Sequence, residues 1–430
     1  MSRVPVRQSL PEWLDYIGRQ ASAEIVMGLD RVRNVWMRMG CPKPPINIVV
    51  GGTNGKGSTC AMLESILRVA GYHTGFYSSP HLIDFNERVK VAGRNAPDEA
   101  LVRAFEAVET ARMASELPEP LTYFEYATLA ALAVFRSERV DVGVLEVGMG
   151  GRLDAVNIVD GDVAIVTSVD LDHQAYLGDT VEEIGFEKAH IFRAGRAAIC
   201  ADRQPPQCLV NVATALGARL LRFGNEYRIR RLDQQWEFHG ATNPRYALPM
   251  PALRGPYQLQ NAAAALMALE CLSSALPVSQ HQVKRGLLEV EWPARMQVLP
   301  GQPTVVLDVA HNPQAARALD DALGSMAFHP NTYAVFGMLA DKDMTGVIRT
   351  LKARVDHWFV AGLDTLTPRG APLDAVSGAL EREGLAGKVS LAMTMPAAFA
   401  LATERAGPND RIVVFGSFYA VAEVLKHLRA

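Results

Sequence analysis

Between Val49 and Ser58 the chain reads Val-Val-Gly-Gly-Thr-Asn-Gly-Lys-Gly-Ser, a glycine-rich turn entered from an apolar run and left through a helical pattern. No other stretch restricts the fold so strongly. Residues 46–50 are mostly apolar and β-branched, as a buried strand requires. After Thr59, residues Met62, Leu63, Ile66, Leu67 and Val69 recur at helical spacing until Gly71 ends the run. Strand, glycine turn and helix N-terminus together aim backbone N–H groups and a partial positive charge at one point, which suits a phosphate. Lys56 adds a full charge, and the Ser58 hydroxyl is placed to reach Mg²⁺. The loop departs from G-x-x-x-x-G-K-[ST], because Gly57 separates Lys56 from Ser58 and Val50 stands at the early glycine. The competing reading is a structural turn that carries a surface lysine.

With 430 residues the chain is long for one core and fits two domains. Its 49% hydrophobic and 21% charged residues describe an ordinary globular protein. A formal charge of −3 gives no reason to expect nucleic acid or an anionic membrane as partner. Five cysteines (Cys41, Cys60, Cys200, Cys208, Cys271) are scattered, odd in number and without CxxC spacing. That argues against a disulfide framework or a zinc site and for a reducing compartment. The N-terminus MSRVPVRQSLPEW has no apolar core of signal-peptide length, and no later segment approaches a membrane span. The expected location is cytoplasmic.

Apolar strand-like runs alternate with helical patterns, which predicts parallel α/β architecture. Strands are expected at 74–78, 140–147, 162–169 and 197–201, with helices at 98–113, 124–137 and 261–276. Short polar-apolar pieces at 228–253 predict a small antiparallel excursion. Trp292-Pro293-Ala294-Arg295 breaks the pattern, and Pro300-Gly301-Gln302-Pro303 reads as a linker. A second series follows, with strands at 304–307, 333–336, 357–361 and 411–415 and helices at 313–326 and 420–428. The expected arrangement is an N-terminal P-loop ATPase-like domain with a mostly parallel sheet over 1–299, and a smaller C-terminal Rossmann-like α/β domain over 300–430. Ligands of parallel sheets gather at strand carboxyl ends, and a cleft between two such domains can hold several substrates.

Polar residues that interrupt these strands are the candidates for chemistry. Glu146 ends an apolar run and is followed by Gly148, Gly150 and Gly151, so it suits Mg²⁺, with an ion pair to Arg152 as the alternative. The next strand ends in Ser168-Val-Asp170-Leu-Asp172-His173, which suits a metal or a phosphate. Ser78-Ser79-Pro80-His81 offers hydroxyls at another strand end, or is a plain turn. Glu187-Lys188-Ala189-His190 reads by default as a solvated helix face. In the second domain Asp308, His311 and Asn312 stand between strand and helix, and Gly416-Ser417-Phe418 does the same after the last strand. Helix capping explains Asn312 before Pro313 but not Asp308 or His311.

Taken in order, GGTNGKGS, YSSPHL, LTYFEY, LEVGMGGRLDAVNIV, LDHQAYLG, EKAHIF, LDVAHNP and FGSF resemble the folylpolyglutamate synthases. The likeness is greatest to the bacterial form that is also a dihydrofolate synthase, within the Mur-type ligases, and it runs from about residue 12 to 425. The loop variant alone indicates the wider group; LTYFEY and GGRLDA point to folate substrates. The resemblance implies ATP-dependent addition of L-glutamate to 7,8-dihydropteroate and to reduced folylpolyglutamates, through an acyl phosphate, by a monomer. It implies that Thr53, Asn54, Gly55, Lys56, Gly57 and Ser58 cradle the triphosphate, and that Asn261, Arg295 and Asp308 contact the nucleotide. Ser58, Ser79, Glu146 and His173 match ligands of one or two Mg²⁺, and Lys188 matches a lysine carried as a carbamate; a monovalent cation also belongs to this picture. Lys56, Lys188, His173 and Arg295 are then the catalytic set. Glu24, Ile25, Val26 and Met27, with Thr122, Tyr123, Phe124 and Glu125 and with Leu153, Asp154 and Ala155, match the pterin and aminobenzoate site. His311 and Ser417 match positions tied to the incoming glutamate. Two departures stand out: His190 where glycine often follows Lys-Ala, and Ala294 where glycine usually precedes the arginine. The first puts a titratable group near Lys188, and the second restricts residues 295–303, the expected moving segment. Other readings are a Mur-type ligase for a different carboxylate, such as a peptidoglycan precursor, or a nucleotide-dependent binding switch.

Overall fold

The computed structural model describes residues 8–20 and 26–429. The chain divides into two compact units, Met1–Ala252 with Leu259–Val290, and Leu253–Gln258 with Glu291–Ala430.

The larger unit is built on eight strands: β1 (Ile46–Gly51), β2 (Thr74–Tyr77), β3 (Val89–Val91), β4 (Arg94–Asn95), β5 (Val142–Glu146), β6 (Val163–Val166), β7 (Ala197–Cys200) and β8 (Arg219–Arg222). Their order is β4-β3-β2-β5-β1-β6-β7-β8. The six strands from β2 to β8 in that row are parallel. The β3–β4 hairpin is antiparallel to them. It turns at Ala92 and Gly93, both with positive φ, the backbone that matches a two-residue turn to strand twist. Strands β2, β5 and β6 are buried throughout, which is why they read as continuous apolar runs rather than alternating ones. From β1 the next neighbours are β5 on one side and β6 on the other, so the chain reverses its direction of winding there. Such a switch opens a crevice beyond the strand carboxyl ends, and the Gly52–Lys56 loop leaves β1 at that place.

Three further strands, β9 (Arg228–Arg231), β10 (Gln235–His239) and β11 (Arg245–Pro249), form the antiparallel excursion expected over 228–253. Trp236, Phe238 and Leu248 are its fully buried anchors.

The smaller unit holds β12 (Gln297–Leu299), β13 (Thr304–Leu307), β14 (Thr332–Phe336), β15 (His357–Val360), β16 (Val389–Leu391) and β17 (Arg411–Phe415) in the order β12-β13-β17-β14-β15-β16. All are parallel except β12, which lies antiparallel to β13. Residues 300–303 are therefore the turn of a hairpin inside this unit, and the compact division falls between Val290 and Glu291. A Pro-Gly cluster closes a hairpin as readily as it joins domains, so composition does not separate the two cases.

Candidate functional site

The loop after β1 is held by the segment after β6. The Thr53 N–H donates to Ser168 O (2.7 Å) and the Asn54 N–H to Ser168 Oγ (3.0 Å). Thr53 Oγ1 donates to Asp170 O, and Thr167 Oγ1 to Asn54 O at 2.6 Å. This tie explains Gly52: its φ is +142°, and a Cβ there would lie 1.9 Å from Thr167 Oγ1. Gly55, also left-handed, would place a Cβ 2.7 Å from Asn261 Oδ1, which brings Asn261 to the loop. Thr53 and Asn54 thus spend their N–H groups on fixing the loop. The first turn of the helix Lys56–Val69 carries N–H groups with no carbonyl four residues earlier in the helix, a place that suits an anion. Lys56 Nζ folds back on Gly52 O (3.0 Å) and Thr53 O (3.2 Å), so the ammonium sits over its own loop.

Around that ammonium the structure gathers charges from the ends of β5 and β6 and from the helix Val181–Ala189. Glu146 is 5% exposed and stands beside Val50 in the β1–β5 register, at the mouth of the loop. Its charge and burial together push the Cys60 thiol well up, with burial the larger cause. The ion pair weighed for Glu146 is not made, since Arg152 pairs with Glu187 at 2.8 Å. Lys188 is 4% exposed and is no solvated face. Burial first, then the Lys56 charge, bring its amine down to about 7, against the pull of Asp172 and Asp154. Asp154 moves the other way: burial lifts its carboxyl to about 6, although it accepts from the Met149 and Val156 N–H groups and feels Lys56. Lys56, Asp154, Asp172, Glu146 and Lys188 therefore share one electrostatic neighbourhood. Among the described residues no group of three or more His, Cys, Asp or Glu is placed to hold a metal.

His173 is half-buried and left-handed (φ +53°), its N–H donating to Asp172 Oδ1 at 2.8 Å. Ser79 is half-buried where β2 ends. His190 is engaged with Phe186: its ring lies 4.4 Å from that of Phe186, and Nδ1 donates to Phe186 O at 2.7 Å.

Beside this cluster lies an aromatic wall. Phe124 packs 6.0 Å from Tyr77 and fills the space over Gly148, where a Cβ would meet its ring at 2.6 Å. Tyr123 lies edge-on to Phe85 at 6.0 Å. Thr122 and Glu125 have structural duties, closing a capping box on the helix Tyr123–Ser137, with Glu125 also paired to Arg31 at 2.9 Å. Asp154 caps the turn Ala155–Ile158, Leu153 is half-buried and Ala155 buried. Met27 reaches within 3.9 Å of a Cβ placed on Gly150, whereas Val26 is exposed. Glu24 and Ile25 lie outside the described residues.

Sequence reasoning passed over Arg88. Its guanidinium is buried, sits 5.5 Å from the ring centres of both Phe85 and Tyr123, and donates from Nε to His81 Nδ1 at 2.8 Å. An arginine directly before the short Val-Lys-Val strand, seven residues after His81, was the only signal on the chain.

In the smaller unit Asp308, at the end of β13, accepts from the Met296 and Ala310 N–H groups, both at 2.8 Å. Burial raises its carboxyl, opposed first by Arg295. The Arg295 guanidinium lies 5.2 Å from the Phe418 ring centre, and the His311 ring 6.4 Å from it. Ser417 is buried, its Oγ accepting from the Ala420 N–H at 3.0 Å. Ala294 and Met296, on either side of Arg295, are both left-handed, with φ of 56° and 48°.

Two family models match the chain: Mur ligase middle domain over residues 50–269, and Mur ligase, glutamate ligase domain, over 294–418. A dihydrofolate synthase/folylpolyglutamate synthase of Escherichia coli is 42% identical over 433 residues, covering 100% of this chain and 98% of that one. Its counterpart in Haemophilus influenzae is 36% identical, with 96% of each chain covered. The solved structure of E. coli FolC in complex with DHPP and ADP matches with a TM-score of 0.91 at 42% identity over 98% of both chains. A bifunctional folylpolyglutamate synthase/dihydrofolate synthase solved with Mn, AMPPNP and L-glutamate bound matches at 0.90 and 39% identity, again over 98% of both.

Proposed function

The chain belongs to the dihydrofolate synthase/folylpolyglutamate synthase family of Mur ligases, and on that premise we propose that it is an ATP-dependent ligase joining L-glutamate to 7,8-dihydropteroate and to reduced folylpolyglutamates. The observation that carries this reading is the shared neighbourhood of Lys56, Glu146 and Lys188 at the switch point of a parallel sheet, with an aromatic wall beside it. Relatives solved with ADP and DHPP, or with Mn, AMPPNP and L-glutamate, support the same reactants.

The substrate carboxylate attacks the γ-phosphorus of ATP, the bond to the β-phosphate oxygen breaks, and an acyl phosphate and ADP result. The amine of L-glutamate then attacks the activated carbonyl, loses a proton and expels phosphate, leaving an amide. Both partners of the first step are anions, and two unit charges at ~4 Å repel by ~4 kcal/mol at an effective dielectric near 20. Lys56 and the helix N-terminus offset that repulsion from positions already fixed by the ties to residues 167–170. We assign Asn261, Arg295 and Asp308 to the nucleotide, and His311 and Ser417 to the incoming glutamate.

A divalent ion fits this donor set. Magnesium is commonly held by one or two carboxylates, with phosphate and water completing the shell, so a cluster of three acids is not required. Ser58, Ser79, Glu146 and His173 would hold it, and bound there it supplies charge neutralisation at the phosphates. Lys188 suits a carbamate, because an amine brought down to about 7 is substantially neutral near physiological pH and can attack CO₂, releasing a proton. Tyr123, Phe124, Leu153, Asp154 and Ala155 would receive the pterin and aminobenzoate rings, with Met27 at the margin.

We take the protein to be a cytoplasmic monomer, as the family resemblance implies; the five cysteines are free, and no helix among the described residues is long and apolar enough to cross a membrane. The deciding assay measures ADP release with ATP, L-glutamate and either 7,8-dihydropteroate or a reduced folate. A ligase of this kind requires all three together. Slow hydrolysis of ATP alone, unaffected by the other two, would leave a nucleotide switch as the better description.

A further inference from the structure

Arg88 is an unusual cation for this molecule. It is 9% exposed, yet no carboxylate among the described residues forms an ion pair with it. The neighbouring Glu87 is occupied elsewhere, accepting from the Leu82, Ile83 and Asp84 N–H groups at 2.7–3.1 Å. A buried charge without an opposite charge is costly unless something anionic joins it. The Phe85 and Tyr123 rings hold the guanidinium, and His81 accepts from Nε, so the group is fixed before any ligand arrives.

Its position says which anion. The Arg88 carbonyl accepts the Ser78 N–H at 2.9 Å, which anchors the residue where β2 ends, next to the proposed metal ligand Ser79. On its other side is Tyr123, followed in sequence by Phe124, the ring that packs on Tyr77 and Gly148. The Arg88 charge also reaches Tyr77. Arg88 thus adjoins the aromatic wall proposed for the flat heterocycle, through Tyr123, and the strand end proposed for the metal, through Ser78. An acid whose aromatic body lies on that wall carries its carboxylate towards that strand end.

We propose that Arg88 binds the carboxylate of the acyl-donor substrate through the terminal nitrogens of its guanidinium, orienting one oxygen and leaving the other to attack phosphorus, with His81 as the positioning residue that fixes the guanidinium plane. This rests on the ligase reading above. It explains why a positive charge is kept here: the anion arrives from water into a buried place, and a fixed partner compensates the water it loses.

The test measures binding of 7,8-dihydropteroate and of its carboxamide by calorimetry, to the wild-type protein and to R88Q and R88K, with thermal melts of all three. The wild type is expected to prefer the acid, and R88Q to lose about 10- to 100-fold of acid affinity, as befits a charge-assisted hydrogen bond, with carboxamide affinity little changed. R88K keeps a charge without the fork and is expected to fall between them, which also covers the case of R88Q folding poorly. Equal losses for acid and amide in both variants would make Arg88 a packing residue and overturn the proposal. Failure of the wild type to bind dihydropteroate at all would overturn the ligase reading, and this inference with it.

Discussion

The two units place polar residues at the same kind of location, the carboxyl ends of parallel strands, and use them with different emphasis. In the larger unit backbone and hydroxyl groups fix the phosphate-type loop, and the charged side chains mainly act on one another, although Asp154 also binds the Met149 and Val156 N–H groups. Lys188 is brought down to about 7 and Asp154 up to about 6, each away from its ordinary state. In the smaller unit the charged side chain itself fixes the backbone: Asp308 binds the Met296 and Ala310 N–H groups and thereby sets the path just after Arg295. Charges at the first edge act on one another, whereas at the second, where burial likewise raises Asp308, the charge chiefly holds the backbone beside Arg295. Substitutions should consequently cost chemistry in the first and geometry in the second.

The largest effect is expected for Lys56→Ala. Removing a fixed cation from a site that must merge two anions should reduce ADP release with all substrates by about 10³-fold. The melting temperature should hardly move, because Nζ bonds only to carbonyls of its own loop, Gly52 and Thr53. Normal turnover by this variant would end the phosphate assignment. Asp308→Ala comes next. It frees the Met296 and Ala310 N–H groups in a buried place, at about 1–3 kcal/mol for each unsatisfied group. A clear loss of thermal stability is expected, with a KM for ATP raised about tenfold as Arg295 loses its support. An unchanged KM alongside a lowered melting point would detach Arg295 from the nucleotide.

Much of this contrast could be read from the residues, and the unread part has physical causes. Glycine spacing and β-branched runs announced the loop and the parallel strands, because close backbone approach and two-sided burial leave few residue choices. The β3–β4 hairpin was not anticipated, since Val-Lys-Val and a two-residue strand carry almost no period. By pattern Lys188 belonged to a solvated face; its burial comes from elements distant in sequence that a local reading does not see. Arg88 was missed for the same reason, as an aromatic box assembled from Phe85 and Tyr123 exists only after folding.

Lys188→Met sharpens the electrostatic half of the comparison. A base whose folded-state value lies near 7, against 10.5 for the ordinary lysine, disfavours the charged form in the folded chain. Between those values the unfolded chain binds more protons, so wild-type stability rises with pH across that window. Below pH 7 the penalty is at its full size; towards 10.5 it disappears. The methionine variant, measured in bicarbonate-free buffer, should melt higher than the wild type by ~2–4 °C at pH 6.5, with the gap closing as pH rises above 7. A gap of constant size would mean that Lys188 costs the fold nothing through its charge.

The smallest effect is expected for Ala294→Gly, and its smallness is informative. Ala294 has φ +56°, a conformation costing an L-residue about 1–2 kcal/mol, so glycine gains that much. Against this, glycine adds unfolded-chain entropy worth about 0.4–1 kcal/mol. It also gives up a fully buried methyl group, about 0.8 kcal/mol. The three contributions nearly cancel, which accounts for alanine being tolerated where the resemblance leads one to expect glycine. The melting point should shift by less than ~2 °C. A β-branched residue keeps the strain and adds bulk in a fully buried site, so Ala294→Val should destabilise by about 2 kcal/mol or more and raise the KM for ATP with it. Should glycine instead shift the melting point by more than ~5 °C in either direction, the backbone around Arg295 is not held in the way Asp308 implies.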